Sequence, residues 1–226
     1  LKIFAIVNNR SLHKTPIITG AGIVIGLCIL LLLFYSLYVN QNTLRNYFII
    51  LFFSITFIAS VFGWFDDRYD ILAIKKFFFQ ITISGVFSCS YLVLLGMELD
   101  QILLYFTLIL FLILCAINCF NFMDGINGLA ISLAIYIFSS LLILDHKIIF
   151  KYELYYITSS LLVLLLFNVK NKLFIGDAGS IALGFLIGSI LINELILKNI
   201  SLFTLIIMLA YWVSDTGCTF LLRLIL

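Results

Sequence analysis

Acidic, amide and glycine residues concentrate around Asp124 in an otherwise apolar chain. Asn121 and Asn127 flank this carboxylate, together with Gly125 and Gly128. Such polar groups are costly in lipid, so they must line a cavity that is wet or enclosed by protein. Glycines allow a ligand to approach the backbone closely, and amides offer donors and acceptors that suit a base or a sugar. We therefore predict a binding site here, with an ordinary interhelical turn as the alternative.

Two adjacent carboxylates, Asp66 and Asp67, follow an apolar run and form a second polar cluster. Neighbouring carboxylates repel each other and favour a cation or a shared proton between them. Mg²⁺ is suited to such a place because it prefers oxygen ligands and substrate phosphates. The alternative is a solvated helix end, in which the acids pair with Arg68, Lys75 and Lys76.

A third cluster, residues 176–180, opens a later apolar run with the sequence Gly-Asp-Ala-Gly-Ser. Small residues at a helix start expose backbone N–H groups that bind phosphate, and Asp177 can hold a metal ion that bridges phosphates. The alternative is that Asp177 is an ordinary helix N-cap residue flanked by glycines. Because no Gly-Lys-Ser/Thr follows, the cluster is not a P-loop.

The remaining polar signals are weaker. Asp215 lies inside the last apolar run, where an acid needs a partner such as Arg223, and we predict a structural or supporting part for it. Near the start of the chain, Arg10, His13 and Lys14 could meet a phosphate or lipid headgroup. Basic residues beside a membrane span are common, so these three indicate little alone.

Composition defines the elements that must position these clusters. Of 226 residues, 64% are hydrophobic and 11% are charged, against about 25% charged in soluble proteins. This predicts a polytopic membrane protein of packed helices, and a net charge of +2 gives no indication of a nucleic-acid partner. The five cysteines lie in apolar stretches without CxxC spacing, so we interpret them as buried hydrophobic residues.

Eight apolar runs predict an all-α bundle that forms a single domain over residues 1–226. Each run is close to the roughly 20 residues that a helix needs to cross a bilayer, and too long for a strand. The predicted spans are 18–39, 47–64, 77–97, 101–119, 129–144, 154–169, 181–197 and 200–220.

Alternation of these spans puts all three clusters on one side of the membrane. Leaving out Arg223, that side carries eight lysines and arginines and the other side carries four. The positive-inside rule then places the clusters in the cytoplasm. Since this count uses only hydropathy and charge, it independently supports one cytoplasmic site.

Taken together, the clusters resemble the polyprenyl-phosphate N-acetylhexosamine-1-phosphate transferases, which are bacterial members of glycosyltransferase family 4. The resemblance covers nearly the whole chain, and its motifs are Asn9-Arg10-Ser11-x-His13, Asp66-Asp67-x-x-Asp70, the stretch from Asn121 to Gly128, and Phe174-x-Gly176-Asp177-x-Gly179-Ser180. It implies a reaction in which a polyprenyl phosphate attacks the sugar-linked phosphorus of a UDP-N-acetylhexosamine and UMP leaves. It also implies a need for Mg²⁺, with Mn²⁺ as an alternative ion.

The resemblance implies residue roles by motif match. Asp177 would be the metal ligand, and Asp66 would orient or deprotonate the lipid phosphate with support from Asp67. The implied substrate-binding residues, which form the uridine pocket and its surroundings, are Asn121, Phe122, Asp124, Gly125, Asn127 and Phe174, the last stacking on uracil.

Departures from the family's sequence pattern narrow the choice of sugar donor. Asp70 stands where the transferase of phospho-N-acetylmuramoyl-pentapeptide usually has Lys, and Asn127 stands where it has Asp. Both differences argue against that peptidoglycan enzyme, which stays the alternative. Family members also have a span before Arg10 and a histidine-bearing loop after the span of Asp215. We therefore expect a fragment of a ten-helix protein that lacks both.

The expected partners are a UDP-N-acetylhexosamine, undecaprenyl phosphate and the lipid bilayer, with no nucleic acid, and a homodimer stands as an alternative to a monomer. We expect the protein to lie in the bacterial inner membrane with a cytoplasmic active site, and to initiate synthesis of O-antigen or another surface glycan.

A cation transporter is the main rival function, but most of the acids lie at one face of the membrane and no repeat is visible in the sequence. A non-enzymatic membrane scaffold would not explain why the polar clusters lie on one side. A lipid phosphotransferase of the CDP-alcohol type needs a different sequence motif after Asp124.

Overall fold

The computed structural model describes residues 4–5, 17–18, 20–39, 43–124, 128–144, 148–170 and 172–210, together with Ser214 and Gly217. The described residues form a short antiparallel pair of strands and a set of α-helices. The strands are β1 (Phe4–Ala5) and β2 (Ile17–Ile18). The helices are α1 (Ile23–Val39), α2 (Thr43–Tyr69), α3 (Ala73–Leu94), α4 (Leu99–Met123), α5 (Leu129–Leu144), α6 (Lys151–Asn168) and α7 (Gly176–Ile196). Residues 202–210 are also helical.

The architecture confirms the predicted all-α membrane bundle. Helices α1 to α7 coincide with the first seven predicted spans, and the helical residues 202–210 coincide with the eighth. In the described part of the chain, four helices are long and apolar enough to cross a bilayer: Leu44–Tyr69, Ala73–Leu94, Gln101–Met123 and Gly176–Ile196. The apolar helices Ile23–Val39 and Leu129–Leu144 are shorter.

The helix ends differ from the predicted ends at the polar clusters. Helix α2 continues to Tyr69, α4 continues to Met123, and α7 already begins at Gly176. The clusters predicted in loops therefore lie largely in terminal helical turns. Hydropathy marks only the segment that lipid tolerates, whereas backbone hydrogen bonding continues into the interface until a capping residue or turn stops it.

Helix α7 is the centre of the bundle and packs against α1, α2, α4 and α5. Every residue from 178 to 194 is buried. Close packing depends on glycine, as expected for helices inside a membrane. A Cβ added at Gly63 of α2 would lie 2.2 Å from the carbonyl oxygen of Asp177, and one added at Gly184 would lie 2.7 Å from the Cα of Ile117.

Aromatic side chains fill the core around this helix. Phe52 of α2 lies with its ring centroid 4.9 Å from that of Phe87 on α3, and Phe87 lies 5.3 Å from Phe185 on α7, both in edge-to-face geometry. Such pairs contribute beyond simple burial. They fix α2, α3 and α7 against one another, which sets the positions of the polar helix ends.

Candidate active site

A lysine bridges two carboxylates at one end of the bundle. The ammonium group of Lys76, one turn into α3, contacts Asp66 Oδ2 and lies 2.5 Å from Asp177 Oδ2. The carboxyl groups of Asp66 and Asp177 therefore lie on either side of one ammonium group. Asp66 is buried, whereas 23% of the side chain is exposed in both Lys76 and Asp177. The cluster is therefore open to solvent on the side of Lys76 and Asp177.

The turn between α2 and α3 folds around Asp66. Its Oδ1 accepts a hydrogen bond of 2.9 Å from the backbone N–H of Ile71, and its carbonyl oxygen accepts one of 3.0 Å from the N–H of Asp70. Asp70 has a left-handed backbone with φ of 49°, a conformation that Asp tolerates better than most residues. One oxygen of Asp66 is thus held by the turn while the other faces Lys76.

Asp67 points to the start of α7. Its Oδ1 accepts from the N–H of Asp177 at 2.9 Å, and its Oδ2 accepts from the N–H of Ala178 at 3.2 Å. These are the otherwise unpartnered donors of a helix start, and a carboxylate there also interacts favourably with the helix dipole. Asp67 therefore caps α7 from α2, and its predicted support of Asp66 in the reaction stays a prediction.

Gly176 makes this cap possible. Its φ is +64°, and an added Cβ would lie 2.5 Å from Asp67 Oδ2. Only glycine adopts this backbone without strain while leaving room for a carboxylate.

Asp124 joins the same cluster from the end of α4. The backbone N–H of Gly176 donates a hydrogen bond to it. Burial, followed by the nearby charges of Asp177 and Asp67, raises the pKa of Asp124 well above its usual range. The side chain of Asn121, in the last turn of α4, hydrogen-bonds to Asp177. The structure thus brings together the three clusters that lie far apart in the sequence.

The start of α7 does not expose amides as we predicted. The first N–H groups, from Gly176 to Ala178, donate to carboxylates of Asp124 and Asp67, and the N–H of Gly179 donates to the carbonyl of Ile175. The prediction that this helix start offers backbone donors to phosphate is therefore wrong. Carboxylates from neighbouring helices occupy those donors, an arrangement that local sequence cannot reveal.

The predicted aromatic residues are close to the cluster residues in the sequence. Phe122 follows Asn121 in α4 and is 57% exposed. Phe174 is half-buried in the segment before α7, where its carbonyl oxygen accepts from the N–H of Ala21 at 3.2 Å. Gly125, Asn127, Asp215, Arg10, His13 and Lys14 lie outside the described residues.

Two residues of the site escaped the sequence analysis. The sequence pattern indicates Lys76 only as an ion-pair partner of the acids at a solvated helix end, although a lysine at the start of an apolar run is a recognisable signal. Asn168 is buried, accepts from the N–H of Gly128 at 2.5 Å and donates to the carbonyl of Leu173 at 2.8 Å. Asn168 therefore connects the loop after Asp124 to the loop before Asp177. An amide at the end of an apolar run is a signal in the sequence that could have indicated this residue.

The donor set fits the predicted Mg²⁺. Within the described ranges, no three His, Cys, Asp or Glu side chains are grouped so as to hold a metal ion. Mg²⁺ does not need such a cage, because it commonly takes one or two carboxylates and completes its shell with water and substrate phosphates. Asp66 and Asp177 supply two adjacent carboxylates, and the position of Lys76 between them shows that the cluster favours a positive charge there.

The chain is thus a helical membrane bundle with a cluster of carboxyl groups and a lysine at one end. The model of glycosyl transferase family 4 matches residues 47–194. The chain belongs to that family, which confirms the resemblance drawn from its motifs. The matched region contains Asp66, Lys76, Asp124 and Asp177.

Individual relatives agree with this assignment. The chain is 32% identical over 235 residues to a phospho-N-acetylmuramoyl-pentapeptide-transferase of Borreliella afzelii (strain PKo), covering 86% of this chain and 64% of the relative. It is 34% identical over 152 residues to a decaprenyl-phosphate N-acetylglucosaminephosphotransferase of Mycolicibacterium smegmatis (strain ATCC 700084 / mc(2)155), covering 56% and 36%. The chain thus spans slightly less than two thirds of the length of the first relative.

Proposed function

We propose that the full-length protein transfers an N-acetylhexosamine-1-phosphate from a UDP-sugar to undecaprenyl phosphate and releases UMP. The observation that carries this proposal is the convergence of Asp66, Lys76, Asp124 and Asp177 at one membrane end of the bundle. Family membership and the name of the mycobacterial relative, which includes a polyprenyl phosphate and a sugar phosphate, support it.

Charge neutralisation is the main task in such a reaction. Phosphoryl transfer depends more on alignment and electrostatic stabilisation than on covalent help from the protein. The ammonium of Lys76 lies where it can contact a phosphate oxygen on the open side of the cluster. The lipid phosphate has a second pKa of about 6 and is mostly dianionic at neutral pH. Asp66 therefore has little need to remove a proton, and we assign it the task of holding Lys76 and orienting the acceptor.

Asp177 is the residue that would hold Mg²⁺, and Asp66 lies beside it as the partner of Lys76. A bound Mg²⁺ ion would add positive charge at the diphosphate and so favour departure of UMP. Asn121 contacts Asp177 and so keeps that carboxylate in place. We assign Phe122, Asp124 and Phe174 to the nucleotide side of the site, because they flank the cluster at the end of α4 and before α7.

The membrane setting determines how the substrates meet. The cluster lies at helix ends, where a soluble nucleotide can enter from water and a lipid phosphate can enter from the bilayer. We place this end in the cytoplasm of the bacterial inner membrane, because its segments carry eight of the twelve basic residues counted. The product would then start O-antigen or another surface glycan.

A second candidate activity is transfer of phospho-N-acetylmuramoyl-pentapeptide. The relative from Borreliella afzelii, which carries that name and aligns with 86% of this chain, favours it. Asp70 and Asn127 argue for the simpler sugar donor. The two candidates share the chemistry of the cluster and differ only in the group attached to the sugar.

A donor panel tests the proposal. Full-length protein in membranes would be given undecaprenyl phosphate, Mg²⁺ and either UDP-N-acetylglucosamine, UDP-N-acetylgalactosamine or UDP-N-acetylmuramoyl-pentapeptide. We expect labelled lipid product from one UDP-N-acetylhexosamine. Product from the pentapeptide donor alone would establish the second candidate. Absence of product from every donor, in folded protein, would refute both.

A further inference from the structure

A cavity lined by tyrosines and one ion pair lies at the end of the bundle opposite the carboxylate cluster. Its volume is about 420 Å³, within the range of small-ligand sites. Arg45 at the start of α2 borders it, whereas Asp66 lies near the other end of the same helix. At 1.5 Å per residue these positions are about 30 Å apart, which is the thickness of the hydrocarbon core. The cavity therefore opens at the other membrane interface.

A buried ion pair forms one wall of this cavity. Glu153 of α6 accepts hydrogen bonds from Arg45 Nη2 at 2.8 and 2.9 Å and from Ser36 Oγ at 2.6 Å. Arg45 Nε also donates to the carbonyl of Ile149 at 3.1 Å. A buried carboxylate is tolerated only when it is paired and hydrogen-bonded. Glu153 is thus a fixed counter-charge that orients the guanidinium.

The arginine of this pair is more exposed than the glutamate. The side chain of Arg45 is 22% exposed, whereas that of Glu153 is 2% exposed. A planar guanidinium matches the oxygens of a phosphate. Three tyrosines, all at least half-exposed, complete the wall: Tyr35, Tyr152 and Tyr156. Their phenol groups are hydrogen-bond donors, and the rings of Tyr35 and Tyr156 meet at 76° to form a corner.

We propose that this cavity binds the phosphodiester of a phospholipid headgroup, with Arg45 as the anion contact and the tyrosine hydroxyls as donors. The membrane interface makes a lipid the source of the phosphate. Val39, which lines the cavity, and Phe34, on the same helix, are exposed apolar residues that can contact an acyl chain. Tyrosines are common at membrane interfaces, but an aromatic belt alone does not require a buried ion pair that presents a guanidinium to a cavity. The proposal does not depend on the transferase activity.

Matched pairs of tyrosine variants test this site in the full-length protein. The cavity variant combines Tyr35→Leu with Tyr152→Leu. The control variant combines Tyr38→Leu with Tyr155→Leu, which makes the same chemical change at exposed tyrosines of the same two helices. None of these changes touches the Arg45–Glu153 pair. Native mass spectrometry in mild detergent would measure retention of phosphatidylethanolamine, phosphatidylglycerol and diacylglycerol, with thermal unfolding as the check on folding.

We expect wild-type protein and the control variant to retain one phospholipid and no diacylglycerol. The cavity variant should bind phospholipid at least roughly a hundredfold more weakly, because it loses two hydrogen bonds to a charged group. Equal retention of diacylglycerol would overturn the proposal, since that lipid has no phosphate. Equal weakening in both variants would point to general interfacial anchoring and overturn it as well. Displacement of the lipid by millimolar inorganic phosphate would identify a site for soluble phosphate instead.

Discussion

The cap that Asp67 places on α7 leads to a sharp prediction for Asp67→Asn. In the wild type, the N–H of Ala178 lies 3.2 Å from Asp67 Oδ2. In the variant, the amide oxygen can still accept from the N–H of Asp177, but the amide nitrogen faces the N–H of Ala178. One bond to a charged acceptor is lost and a buried donor is left without a partner, which together cost about 2 kcal/mol. For a chain of this size, that lowers the unfolding temperature by roughly 4–8 °C.

The assay is thermal unfolding of the purified full-length variant in detergent, together with the rate of UMP release. Glu98→Gln is the control, because Glu98 is an exposed acid at the opposite end of the bundle and forms no side-chain cap on α4. We expect Asp67→Asn to lose stability and activity together, and the control to lose neither. If Asp67→Asn unfolds at the wild-type temperature yet is inactive, Asp67 acts in the chemistry and the positioning argument is refuted.

Other perturbations test neighbouring parts of the site. Gly176→Ala should lower the free energy of unfolding by more than roughly 2 kcal/mol and abolish UMP release, because it adds backbone strain and a 2.5 Å contact with Asp67. The control Gly85→Ala, where the nearest atom is 3.7 Å away, should unfold like wild type. Equal effects of the two substitutions would contradict this prediction. Lys76→Met should leave Asp66 without its cation, lowering stability by about 1–3 kcal/mol and activity by at least roughly a hundredfold. Lys76→Arg should recover part of both, and full activity of Lys76→Met would exclude Lys76 from the site. Asn168→Leu should raise the KM for the UDP-sugar more than it lowers kcat, since it releases Gly128 and Leu173, and an unchanged KM would argue against that link. Removal of divalent ions with EDTA should stop UMP release and added Mg²⁺ should restore it, whereas full activity in EDTA would remove the metal from the proposal.

The sequence was sufficient to predict the helices and the meeting of their polar ends at one end of the bundle. Long apolar runs and their alternation determine both, because lipid tolerates few other solutions. The helix ends could not be predicted from hydropathy. Asp66 and Asp67 lie inside the last turns of α2, where hydrogen bonding continues beyond the apolar segment.

Contacts between distant segments account for most of what the sequence did not reveal. The carboxylate of Asp67 caps a helix that begins over a hundred residues later, so the N–H groups at the start of α7 are engaged rather than exposed. Asn168 likewise acts through two loops on either side of α6. Residue type and spacing can indicate candidate polar side chains, but the packing of α7 against α2 and α4 decides which of these side chains contact one another.

The most direct test of the central claim compares UMP release by wild type and Asp177→Asn in proteoliposomes with undecaprenyl phosphate, Mg²⁺ and the accepted UDP-sugar. Asp177 contacts Lys76, which also contacts Asp66, so the cluster loses one of its two negative charges when the Asp177 carboxylate becomes an amide. We predict Mg²⁺-dependent release by wild type and a loss of at least roughly a hundredfold in the folded variant. Equal rates for the two proteins would contradict the claim that this cluster is the active centre.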